Sequence, residues 1–373
     1  MEINIIDKQA LNKTSIGVCP KERLIVFDFI RLFAIVMVVL SHNIRFGTFP
    51  ISSLYLGVLG NGLFFFISGY LIYLNNNSIN SKADIIHFYK KRLLRIYPLY
   101  IVAVIVHVII TTLISGSSYN SFEVIVSMLG LQMVFYPKFI TYPFLWFIGM
   151  ILIYYLIYPL IIYFSQKNWI KYLIYSCISI GLLIIFRLLT GLIGGGVFEY
   201  YFIFVAGVLS GMLNIFKSKY LLPLTLLSLI LFIGCVCITQ TFHPMISDTL
   251  TLSSTVVINT ISIIALRIIY AISAIFTLYF VYNRLHIGQT MMKIITYGAF
   301  AAYAVYLFDR SYFTSMNALL SSFINISPLG YDILFLFLLL PILFILCYYI
   351  QKGENKVIAY IKSRFITFFN KGT

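Results

Sequence analysis

Charge is what this sequence has least of. Asp, Glu, Lys and Arg make up 10% of its 373 residues and hydrophobic residues 61%, where a soluble domain carries about 25% and roughly 45–50%. That balance excludes a soluble globular protein. Cysteine is sparse as well: Cys19, Cys177, Cys235, Cys237 and Cys347 are scattered through apolar sequence. Cys235 and Cys237, two residues apart, face different sides of a helix, so neither a disulfide framework nor a metal set is expected. Glycine clusters once, at 194–196, and no phosphate-cradling loop or dinucleotide fingerprint appears. Nucleotide binding through such a loop is excluded.

What is present is long apolar stretches, recurring from about residue 24 to about residue 351. A helix needs roughly 20 apolar residues to cross a bilayer. The runs place spans at 25–45, 54–74, 93–114, 143–164, 169–190, 196–215, 220–240, 261–282, 298–322 and 331–351. The expected fold is an all-α polytopic membrane bundle of about ten transmembrane helices, divided into a cytoplasmic segment (1–23), a membrane domain (24–351) and a basic cytoplasmic tail (352–373). Residues 121–135 are apolar but short, and suit a re-entrant or interfacial helix.

The net charge of +15, from 26 Lys+Arg and 11 Asp+Glu, records orientation here and not a nucleic-acid partner. With the N-terminus inside, nineteen of the basic residues fall in connections on one side. Arg45 and Lys138 lie on the other, and Arg31, Arg95, Arg187, Arg267 and Arg310 fall in or at the edge of spans. Both termini are therefore expected in the cytoplasm. The polar N-terminal residues lack a signal-peptide pattern, so the first span is expected to be retained.

Ionisable groups inside spans are costly, and each marks a candidate site. The first span holds Asp28, Arg31 and His42; Arg92 and Arg95 open the third; Glu199 opens the sixth; Asp309 and Arg310 lie in the ninth. Arg31 and His42 are separated by eleven residues, three turns and about 20°, so both point from one face. Asp28, three residues before Arg31, shares that face and can hold the guanidinium. His42 is thus a candidate base or acyl carrier, with either Glu199 or Asp309 placed at a depth where it could orient the ring. His107, alone in an apolar run, reads as a hydrogen-bonded core histidine. Arg92 and Arg95, one turn apart after Lys90 and Lys91, suit phosphate oxygens of a cytoplasmic nucleotide or of anionic lipid headgroups.

These segments resemble, in order, acyltransferase family 3. FDFIRLFAIVMVVLSHN is similar to its first helix, with Arg-x10-His at Arg31 and His42. GVLGNGLFFFISGYLI is similar to the second helix, FYKKRLLRIYPLY to the Arg-x-x-Arg segment at Arg92 and Arg95, and FLWFIGMILIYYLIYPLI to the helix keyed by Trp146 and Pro159. Two departures stand out: Ile151 and Leu152 occupy positions where many members carry glutamate, and Asp309 stands where histidine is frequent. Members with a fused SGNH-type module carry it after the last span, where about 20 residues stand here; the chain is expected to act alone or with a separate partner.

The resemblance implies transfer of an acyl group, usually acetyl, from cytoplasmic acyl-CoA to a hydroxyl of a carbohydrate or glycolipid. The expected setting is a prokaryotic cytoplasmic membrane and cell-envelope O-acetylation. In that reading Arg92, Arg95 and Lys91 bind acyl-CoA, while Arg31, held by Asp28, positions it. His42 performs the chemistry with Glu199 or Asp309. Acyl-CoA enters as a substrate, with no permanently bound cofactor and no metal; homo-oligomerisation is left open. The rival classes are a glycan or lipid-linked-sugar flippase and a non-catalytic scaffold.

Overall fold

The computed structural model describes residues 25–43, 53–116, 119–140, 143–218, 221–246, 254–323 and 327–370. Residues 1–23, Cys19, Arg45 and the side chains of Cys235 and Cys237 lie outside that description. Among the described residues the secondary structure is helical and contains no strand. The chain is an all-α polytopic membrane bundle.

The helices are α1 (Ile25–Asn43), α2 (Ser53–Asn75), α3 (Lys82–Ser115), α4 (Ser121–Met128), α5 (Gln132–Phe135), α6 (Trp146–Ser165) and α7 (Trp169–Thr190). They continue with α8 (Gly196–Met212), α9 (Leu221–Ile246), α10 (Ser254–Arg284), α11 (Gln289–Phe323), α12 (Pro328–Leu334) and α13 (Leu340–Asn370). A π-helical turn, Phe335–Leu339, joins the last two. Eight helices among the described residues are long and apolar enough to cross a membrane; α8 and the Leu221–Gly234 part of α9 are apolar but shorter. These ten elements fall on the ten apolar runs. Residues 121–135 form α4 and α5, of 8 and 4 residues, both too short to span.

Local chemistry sets several boundaries. α3 begins eleven residues before its apolar run because Ser81 and Asp84 form a reciprocal capping box. Its basic amphipathic lead is therefore helical and continuous with the span. Asn168 caps the start of α7, and Gly191, at φ 70°, ends it in the left-handed conformation glycine tolerates.

Two buried hydrophobic clusters organise the bundle. One gathers α2, α6, α8 and α10; the other gathers α3, α11, α13 and their neighbours. α1 is the seam: Phe27, Ile30 and Ala34 belong to the first cluster, and Ile35, Val38 and Val39 to the second. It packs against α2, α10 and α11. A polar stripe on α1 is therefore placed between two apolar bodies and can draw partners from either.

α2 and α8 approach through glycine. A Cβ at Gly69 would collide with the Phe204 carbonyl, and one at Gly207 with the Phe66 carbonyl. Small residues let helix backbones touch, which matters in lipid because the tails are as apolar as leucine and dispersion contacts carry the association. Large apolar side chains remain outward, among them Leu113, Leu189 and Phe337, each about 80% exposed.

Candidate active site

α1 carries three of the sequence-predicted residues. Near its first turn Arg31 Nη1 donates to Asp28 Oδ1 at 3.3 Å, with the Asp28 side chain 6% and the Arg31 side chain 32% exposed. His42 sits three turns further along, a rise of about 16.5 Å. Its Nδ1 lies 2.7 Å from Asp309 Oδ2 on α11. Asp309 is 2% exposed, and its second oxygen, Oδ1, accepts the Arg310 backbone N–H at 2.6 Å. Both carboxylate oxygens are therefore engaged. With Asp309 ionised, the proton of the 2.7 Å bond belongs to Nδ1, leaving Nε2 as the basic nitrogen.

Of the two carboxylates the sequence offers to His42, the structure brings Asp309 to the ring and sends Glu199 elsewhere. Glu199, in the first turn of α8, pairs with Arg267 of α10 through Oε2 and Nη1 at 3.3 Å. Glu199 is thus a partner of Arg267 and not of His42. In the sequence Arg267 stands out only as a basic residue inside a span, and that placement is the one signal of its role.

The start of α6 links these two ion pairs. The Phe147 backbone N–H donates to the Tyr306 hydroxyl at 3.1 Å, and Tyr306 lies one turn before Asp309 on α11. Trp146 packs against Tyr200, the neighbour of Glu199, with ring centroids 5.7 Å apart. Gln132, fully buried, donates to the Leu145 carbonyl at 2.9 Å and ties α5 to the entry of α6.

The basic group on α3 divides in two. Lys91 and Arg95 are exposed, whereas the Arg92 guanidinium lies over the rings of Phe88 and Tyr155 at 5.6 and 5.3 Å. Aromatic faces attract the cation and hold its plane. Arg92 Nε is buried without a hydrogen-bond partner among the described residues. His107 bridges Ser311 and Tyr119, at 3.3 and 3.1 Å, and stacks on Phe144. Among the described residues no group of three His, Cys, Asp or Glu side chains could hold a metal.

An acyltransferase domain model matches residues 24–352, nearly the whole chain. The protein belongs to acyltransferase family 3. It is a multi-pass membrane acyltransferase. No curated relative and no solved structure shows a significant match.

Proposed function

We propose that this acyltransferase moves an acetyl or other acyl group from acyl-CoA to a hydroxyl of a carbohydrate or glycolipid in a prokaryotic cell envelope. The observation that carries the reading is the His42–Asp309 contact at 2.7 Å, in which the carboxylate is buried and the imidazole stays partly exposed. Nε2 of the oriented imidazole takes the proton of the acceptor hydroxyl as its oxygen attacks the thioester carbonyl; the carbonyl re-forms, expels CoA as thiolate, and that proton passes to the sulfur. Alternatively, Nε2 attacks the thioester first and expels CoA as thiolate; the acceptor oxygen then attacks the acyl-imidazole, Nε2 leaves, and the hydroxyl proton passes to the thiolate. Both routes need Nδ1 held by Asp309.

At the other end, exposed Lys91 and Arg95 with the ring-supported Arg92 supply cations for the CoA phosphates. Arg31 lies between this group and His42 in the reading. Its pairing with Asp28 lowers the cost of keeping a guanidinium there.

The test is incubation of the purified protein with acetyl-CoA carrying a labelled acetyl group. Release of CoA with transfer to an added hydroxyl compound, abolished in His42→Ala, supports acyl-CoA dependence. Intact thioester under every acceptor condition, with the protein still folded, overturns it. Labelled protein recovered by mass spectrometry before acceptor addition separates the acyl-carrier route from the general-base route.

A further inference from the structure

The Glu199–Arg267 pair is joined by one contact, Nη1 to Oε2 at 3.3 Å. Two polar atoms beside it, Glu199 Oε1 and Arg267 Nε, are buried without a hydrogen-bond partner among the described residues. Oε1 of an ionised carboxylate can only accept, and Nε–H can only donate. Leaving either unmatched costs more than an ordinary hydrogen bond contributes.

The chemistry of those two atoms selects a ligand class. A phosphate or carboxylate would satisfy Arg267 and be repelled by Glu199; an ammonium would do the reverse. A hydroxyl serves both, donating its proton to Oε1 and accepting from Nε. The Glu199 side chain is 7% exposed and that of Arg267 29%, so the Arg267 side chain reaches the surface while both unmatched atoms lie beneath it.

Its surroundings suit a ring bearing several hydroxyls. Trp146, half-buried, packs on buried Tyr200, the neighbour of Glu199, at 5.7 Å, and an aromatic face of this kind accepts the C–H face of a polyol. Depth agrees as well. Arg267 stands seventeen residues from the Arg284 end of α10, and His42 seventeen residues from the Ile25 end of α1. That is about 25 Å along each helix, and the two helices pack together.

We infer that Glu199 and Arg267 form a binding site for a hydroxyl of a polyhydroxylated ligand, the acceptor of the transfer proposed above. The acceptor role of this ligand rests on that proposal; the binding site does not.

Trp146 provides the readout, since Trp169, the second of two tryptophans, is exposed and can be replaced by Phe. In that background, methyl α-glucoside should change the fluorescence saturably, and its fully O-methylated analogue, lacking hydroxyl donors, should not. Glu199→Gln should raise the midpoint at least tenfold. The double variant Glu199→Leu/Arg267→Leu, which leaves no lone buried charge, should abolish the response while eluting as a folded species. No response in the parent protein means that the pair holds water alone, and overturns the site; so does an unchanged midpoint in the double variant. Measuring acetyl transfer to methyl α-glucoside in parallel distinguishes the two readings. Binding that depends on the pair, without transfer, retains the site and removes its acceptor role. Transfer with unchanged acceptor KM in the double variant retains the activity and removes the site.

Discussion

His42 and Asp309 meet at 2.7 Å across 267 residues of sequence. The contact closes α1 against α11, and Asp309 is 2% exposed with its other oxygen on the Arg310 backbone N–H. A carboxylate enclosed in this way has no aqueous alternative, so it fixes both the direction of the imidazole and the nitrogen that carries the proton. Asp309→Asn preserves the shape and removes the charge. Turnover should fall by about 10²–10⁴ while the affinity for CoA stays within twofold. Equal loss of both would make Asp309 a structural residue, and a titration of CoA binding beside an acyl-transfer assay decides it.

His42→Ala should show the same separation of chemistry from donor binding. The imidazole lies about 16.5 Å along α1 from Arg31, too far to share its contacts with a donor headgroup at the basic end. Transfer should drop by about 10²–10⁴ with CoA binding nearly intact. Wild-type transfer by the variant, measured in vesicles with donor inside and acceptor outside, would remove His42 from the mechanism.

Arg92 and Arg95 should differ in what their loss does. Arg95 is exposed, so Arg95→Ala should weaken CoA binding by the value of its charged hydrogen bonds, about 1.5–3 kcal/mol, and leave the fold unchanged. Arg92 also rests on Phe88 and Tyr155. Arg92→Lys keeps charge but loses the planar stacked group, and should recover less affinity than Arg95→Lys does. Isothermal titration with CoA measures these three variants and Arg92→Ala; identical rescue by lysine at both positions would contradict the distinct setting of Arg92.

The α2–α8 contact sets a stability prediction. A side chain at Gly207 meets the Phe66 carbonyl, a backbone atom that cannot turn aside. Gly207→Leu should therefore destabilise the bundle by about 1–3 kcal/mol or more, read as a lower melting temperature in detergent. Gly181, whose added Cβ would meet nothing within 4 Å, is the control, and Gly181→Leu should melt near the parent. Equal melting of both variants would show that the close approach is not required.

Hydropathy and helical period are properties of consecutive residues, and they determined the all-α membrane class, the ten apolar elements and the common face of Asp28, Arg31 and His42. The Asp28–Arg31 pair was legible for the same reason, because its partners are three residues apart on one helix. That 121–135 does not span followed from run length; its break into two short helices did not. Partners on different helices follow another rule. Asp309 and Glu199 are equivalent to a reader of depth along a span; which one meets His42 depends on α11 packing beside α1 while α8 is held against α2 by Gly69 and Gly207. The same packing pairs Glu199 with Arg267, 68 residues away, and places Trp146 and Phe147 between the two ion pairs. No periodicity encodes those distances, because they are set by steric fit between helix surfaces far apart in the chain.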